Sequence, residues 1–207
     1  MNILITGASG FLGSTLAKQL LEDKHNVYLL VRNNKKLNNF ININQDHKQR
    51  ITILEGELTE AELGLNSKML NSLVGKIDVV YHTAAFLSFD EGKREQIFQV
   101  NVNGTRNVLE VAEKIGVNKF VHVSTAYTLG VQENGLEQLY PIDGTFTNDY
   151  EESKCKAEHL VMSYQDKFAV TIMRPAIIIG DSKTGEASTT FGLYGILRAI
   201  ELLKKKV

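Results

Sequence analysis

The chain has 207 residues, 43% of them hydrophobic and 23% charged, a composition that suits one well-cored globular domain and excludes a disordered, collagen-like or disulfide-built chain. Its formal net charge of −1 supplies no overall basic field for nucleic acid or an anionic membrane, so neither is expected as a partner. The single cysteine, Cys155, cannot pair within the chain, which fits a reducing compartment.

The first predicted strand is NILIT (2–6), and no basic leader or cleavage pattern precedes it. No run approaches the roughly 18 apolar residues of a membrane span, so the expectation is a cytoplasmic protein with no membrane span. LITGASGFLG then puts Gly7, Gly10 and Gly13 between this strand and a helix predicted over 11–22. Glycines in that context allow a tight turn and close backbone approach to a pyrophosphate, with the helix N-terminus supplying amide donors. The second strand, NVYLLV (26–31), ends at Arg32 with no acid beside it. An acid there would hold the ribose hydroxyl of NAD, whereas arginine can hold the 2′-phosphate of NADP. NADP(H) is the preferred cofactor, with NAD(H) the alternative; Lys35 and Lys36 either add positive charge or are solvated loop residues.

The Asn- and Lys-rich stretch 33–50 reads as a solvated loop or short helix leading to strand three, ITIL (51–54). A helix over 67–74, strand four, IDVVYH (77–82), a helix over 94–115 and strand five, KFVHVS (119–124), follow. His82 and His122 lie on strands and read as satisfied core histidines rather than ligands, and no cluster has metal-site spacing. From 125 to 149 there is no clear period, and so long a connection is often functional. A helix over 150–166, strand six, AVTIMR (169–174), and an amphipathic C-terminal helix ending in lysines complete the chain. The helix reads as a docking element whose lysines complement its dipole. Alternating buried strands and helices predict an α/β fold of the Rossmann type, a doubly wound parallel sheet with helices on both faces.

In NDYEESKCKAEHLV, Asn148 or Asp149 can cap the helix, with Glu151 and Glu152 in its first turn. Tyr150 and Lys154 continue a four-and-three stripe through Ala157, Val161 and Tyr164, which turns Lys154 inward, where a lysine is costly without partners. An ammonium beside a tyrosine favours phenolate, bringing the phenol towards the range useful for acid-base work. Cys155 reads as a small helix residue rather than a nucleophile.

TGASGFLG (6–13), GELT (56–59), HTAA (82–85), NVNGTRNVLEVA (101–112), VHVSTAY (121–127), YEESK (150–154) and RPAIIIG (174–180) together resemble the extended short-chain dehydrogenase/reductases. ELTEAELGL, HVSTAY and RPAIIIGDSKTGE are further similar to the branch of thioester reductases and fatty acyl-CoA reductases, the male-sterility domains. The resemblance implies an NAD(P)-dependent oxidoreductase. Thr125 would hydrogen-bond the reacting carbonyl, with Ser124 as its alternative, Tyr150 would exchange the proton, and Lys154 would also hold the nicotinamide ribose. Asn101 would support the lysine through water. Gly7, Ser9, Gly10, Phe11, Leu12 and Gly13 would surround the pyrophosphate. Glu57, where relatives carry aspartate, and Leu58 would lie by the adenine, Ala84 and Ala85 would line the cofactor, and Pro175, Ala176, Ile177 and Ile178 would approach the nicotinamide.

The preferred reading is an NADP(H)-dependent reductase of a carbonyl or acyl-thioester substrate. Alternatives are a nucleotide-sugar epimerase or dehydratase that retains NAD, and a dinucleotide-binding regulator without turnover; a homodimer is open. The expected division is 1–180 for the NAD(P)-binding domain and 181–207 for the start of a substrate-binding region that relatives continue.

Overall fold

The computed structural model describes residues 1–32, 38–187 and 193–204. Six strands form a single parallel sheet: β1 Asn2–Thr6, β2 Asn26–Val31, β3 Ile51–Glu55, β4 Val79–His82, β5 Lys119–Val123 and β6 Ala169–Met173, ordered β3-β2-β1-β4-β5-β6. The order reverses between β1 and β4, which is where a doubly wound sheet opens a crevice at its carboxyl edge. The described helices are α1 Phe11–Glu22, α2 Asn38–Ile43, α3 Ser67–Leu73, α4 Arg94–Phe98, α5 Gly104–Ile115, α6 Asp149–Met162 and α7 Leu193–Lys204. Contacts divide the chain into two compact units, Met1–Ala176, which holds the sheet, and Ile177–Val207.

Alternation along β1 sorts two cores. Ile3 and Ile5 pack with Val27, Leu29 and Val31 against Ala17, Leu20 and Leu21 of α1, while Leu4 joins Leu30, Leu54, Val80 and Phe120 under α3, α5 and α6. On α1 the buried residues Gly13, Ala17, Leu20 and Leu21 recur at helical spacing. α5 buries Val108, Leu109, Ala112 and Ile115 and stops at Gly116, whose left-handed backbone lets the Gly116 and Val117 amides reach the Ala112 carbonyl, both at 3.1 Å.

The helix expected over 94–115 is continuous but not uniform: Gln99–Asn103 is a π-helical turn joining α4 to α5. Part of the 33–50 stretch is helical, as α2 and a 3₁₀ segment Gln45–Arg50, while Lys35 and Lys36 lie outside the described residues. α6 begins at Asp149 under an Asn148 cap: Asn148 Oδ1 accepts from the Glu151 amide at 3.0 Å, and the Glu151 carboxylate reaches back to the Thr147 amide at 3.1 Å, a reciprocal arrangement that satisfies both free amides.

In the second unit the Asp181 carboxylate accepts from the Lys183 and Thr184 amides at 2.9 and 2.8 Å, and those bonds hold its pKa below the usual value. Ile196, Leu197, Ile200, Leu202 and Leu203 of α7 are exposed.

Candidate active site

The candidate site is built where the chain leaves the carboxyl edge of the sheet. Gly7 turns there with φ of +73°, a conformation open to glycine without a side-chain clash. A Cβ on Gly7 would stand 2.7 Å from the Ala84 nitrogen, and one on Gly13 would stand 2.3 Å from the Gly7 carbonyl oxygen. Backbone therefore closes on backbone across β1 and β4, and the Thr83 hydroxyl locks the contact by donating to the Thr6 carbonyl at 2.7 Å. Gly10 donates its amide to the Gly7 carbonyl at 2.9 Å and caps α1 with no side chain and no acid in the first turn. Ser9 is exposed and Phe11 and Leu12 are half-buried in the same turn. A helix start without carboxylate or side-chain cap, reached through a wedge free of Cβ atoms, fits an anionic pyrophosphate.

Arg32 stands just past β2 and Glu57 just past β3, their Nε and Oε2 atoms 4.0 Å apart and the arginine largely exposed. An ion pair in solvent is worth at most about 1 kcal/mol, so Arg32 is free to exchange partners. Leu58 packs against the core, and its carbonyl accepts from Asn107 Nδ2 at 2.7 Å. Ala84 is half-buried and Ala85 exposed. Pro175 extends the pairing of β5 and β6, its carbonyl accepting from the Ala126 amide at 3.0 Å. Ala176 closes the first unit, and Ile177 and Ile178 belong to the second, where both are exposed.

Thr125 is buried and begins the 3₁₀ turn Ala126–Leu129; its Oγ1 accepts from the Tyr127 amide at 3.3 Å, leaving its own O–H to donate. Ser124 is buried with a hydroxyl that has no partner among the described residues. Asn101 and Lys154 share no direct hydrogen bond. Its Oδ1 accepts from the Phe86 amide at 2.7 Å, and its Nδ2 donates to the Phe86 carbonyl and to Ser153 Oγ, both at 3.0 Å. The π-helical turn thus ties the segment after β4 to α6.

Lys154 is 1% exposed, inward as its periodicity requires. Its Nζ donates to the Val123 carbonyl at 2.8 Å and stands 3.2 Å from His122 Nε2, and burial lowers its pKa to about 8. Tyr150 lies one turn earlier on α6, and its hydroxyl has no hydrogen-bond partner among the described residues. Burial pushes this phenol up to about 12, opposite to the expected shift, because desolvation of the ring disfavours the charged phenolate. His82 and His122 are both buried and held neutral, burial being the main cause and the nearby Lys154 charge the next. Burial also pushes the Cys155 thiol up to about 11, which keeps it protonated.

Beside the start of α6 lies a cleft of about 890 Å³, whose lining includes Phe89, Arg94, Ile142, Phe146, Glu152 and Lys156. Arg94 spans it, pairing with Asp149 and, at 2.7 Å, with Glu152, over the ring of Phe98. Of these lining residues sequence reading singled out only Glu152, as a first-turn acid of the helix, although the aperiodic 125–149 connection pointed to this segment. Among the described residues no group of three or more His, Cys, Asp or Glu could hold a metal, and no helix is long and apolar enough to cross a membrane.

The profile of an NAD-binding family described as "Male sterility protein" matches residues 5–206. The chain is 30% identical to fatty acyl-CoA reductase 1 of Xenopus laevis over 86% of its own length and 43% of that protein's. It is 31% identical to sterol demethylase protein B of Methylococcus capsulatus, over 87% and 52%. The chain thus spans about half the length of these curated relatives. Among solved structures, the terminal R domain of the myxalamid PKS-NRPS pathway superposes with a TM-score of 0.84 at 29% identity, covering 95% of this chain and 53% of that one. On the profile match, the sheet order and the glycine wedge together, the chain belongs to the male sterility family within the extended short-chain dehydrogenase/reductases.

Proposed function

We propose that this chain is the cofactor-binding and catalytic part of an NADP(H)-dependent reductase of acyl thioesters. The observation that carries the reading is Lys154: a fully buried ammonium, held by β5 two residues before Thr125, with Tyr150 one turn before it on the same helix face. A lysine is rarely buried without a task that repays its desolvation. The names of the relatives, fatty acyl-CoA reductase and the terminal R domain of the myxalamid PKS-NRPS pathway, favour an acyl thioester among carbonyl substrates.

When bound, the nicotinamide supplies the hydride that the substrate carbonyl carbon receives. The chain's residues act on the oxygen. Thr125 donates its free O–H to the carbonyl, lowering the cost of the negative charge that develops there. Tyr150, fully protonated at neutral pH by its raised pKa, gives that oxygen its proton as a general acid. The thiol then departs and an aldehyde remains. Lys154 anchors the first half of α6 against β5 and presents its remaining N–H to the cofactor ribose. Arg32, free of a strong partner, receives the 2′-phosphate that distinguishes NADP.

The test is NADPH oxidation with a long-chain acyl thioester. Tyr150→Phe is expected to abolish turnover while a fluorescence titration shows unchanged NADPH affinity. Undiminished oxidation in that variant, or turnover of a sugar nucleotide without that of any thioester, overturns the reading.

A further inference from the structure

Hydrogen-bond bookkeeping around Lys154 fixes the tautomers of two buried histidines. Thr6, His82 and His122 are register partners across β1, β4 and β5, and all three are buried on the face covered by α5 and α6. Thr105 Oγ1 donates its one proton to the Asn101 carbonyl at 2.6 Å, so its 2.9 Å contact with His82 Nε2 requires the ring to donate there. His82 Nδ1 then accepts from Thr6 Oγ1 at 2.6 Å. His122 is in the opposite state. An ammonium has donors only, so the 3.2 Å contact with Lys154 Nζ makes His122 Nε2 the acceptor and puts its proton on Nδ1. That Nδ1 has no partner among the described residues. Leaving a buried N–H unpaired costs stability, and the fold accepts the cost at the one ring that touches the lysine.

We propose that His122 is a positioning residue for Lys154: with its proton on Nδ1 it takes one ammonium N–H at Nε2, so that, with the Val123 carbonyl taking a second, a single donor is left for the catalytic side. The inference rests on the reductase reading for the role of Lys154. No carboxylate among the described residues hydrogen-bonds the ammonium: Glu158, on the same helix, is held by Arg174 at 2.9 and 2.5 Å, and its charge acts on Lys154 only through space, favouring the charged form. The remaining groups around it are His82 behind His122 and Tyr150 on α6. From α4, Arg94 is turned to Asp149 and Glu152, and from α5, Glu110 and Glu113 lie by Tyr164 and Lys167.

Two measurements test the proposal. Imidazole nitrogen–proton correlation spectra of the ¹⁵N-histidine-labelled protein are expected to show His82 with its proton on Nε2 and His122 with its proton on Nδ1, the latter assigned by its loss in His122→Gln. Finding His122 protonated on Nε2, or on both nitrogens, overturns the proposal whatever the enzyme reduces.

The second measurement is the pH profile of NADPH-dependent thioester reduction. His122→Leu removes the acceptor that favours the charged lysine, so the alkaline limb of kcat/KM is expected to move to lower pH. A misplaced ammonium is also expected to lower kcat roughly ten- to a hundredfold, with little change in KM for the thioester. His122→Gln, whose Oε1 can stand in for Nε2, is expected to recover much of both. A folded His122→Leu variant with the parent's alkaline limb overturns the proposal; if that variant does not fold, the tautomers decide. If the parent reduces no thioester, the reductase reading falls, while the tautomers still decide what His122 does to Lys154.

Discussion

Glu158 and Arg174 form a two-pronged ion pair inside the protein: Nε and Nη2 donate to Oε1 and Oε2 at 2.9 and 2.5 Å, and the Glu158 side chain is 0% exposed. The same guanidinium donates to the Gln138 carbonyl at 2.7 Å and lies over the ring of Tyr140. The pair therefore fastens the connection preceding α6 to the end of β6. Removing the cation leaves a buried carboxylate without compensation, and Arg174→Leu is expected to lower stability by about 3–5 kcal/mol in urea unfolding. Glu158→Gln, which leaves an arginine that reaches solvent, is expected to cost less.

Two glycines separate crowding from backbone strain. Gly13→Ala puts a Cβ 2.3 Å from the Gly7 carbonyl oxygen, so the wedge must open and NADPH binding, read by fluorescence titration, is expected to be lost. Gly116→Ala meets nothing within 4 Å but keeps a left-handed residue, φ +74°, and is expected to cost about 1 kcal/mol in thermal or urea unfolding with binding intact.

Stability is expected to fall on the acid side. Burial lowers the pKa of His82 from 6.5 to about 3, so between those values the unfolded chain binds a proton that the folded chain does not, and acid favours unfolding. The loss begins as pH drops through 6.5 and reaches about 2 kcal/mol by pH 5 for this residue alone; His122 adds in the same direction. Urea midpoints between pH 7.5 and 5 check this, and His82→Gln is expected to flatten the slope.

Arg32→Ala separates the two dinucleotides. Loss of a charged donor to a phosphate is expected to weaken NADPH by roughly tenfold or more and to leave NADH unchanged in paired titrations. Equal weakening of both would assign Arg32 to the adenine or to Glu57 rather than to the 2′-phosphate.

The strands were legible because parallel strands covered on both faces are apolar nearly end to end, and Ile3–Ile5 or Leu29–Val31 announce themselves without any partner. Strand four starts two residues later than expected, since Asp78 uses its carboxylate on the Asn2 amide ahead of the regular ladder. The inward turn of Lys154 followed from helical period alone. The Lys154–His122 contact did not, because it joins residues 32 apart and depends on the register of β5 and on where α6 lies over it. The raised pKa of Tyr150 was hidden for a related reason: spacing put an ammonium on its face, but not how deeply tertiary packing would bury the phenol.

The π-helical turn at Gln99–Asn103 makes the length of this segment a requirement of its own. Such a turn holds one residue more than an α-helical path would, and each residue advances an α-helix by about 100°. Deleting one residue between Phe98 and Gly104 would leave two good helices in a seamless rod, yet rotate Arg94 away from Asp149 and Asn101 away from Phe86 and Ser153. Lineages of this domain are therefore expected to tolerate changes of side chain along Gln99–Asn103, Asn101 excepted, more readily than a single-residue gap.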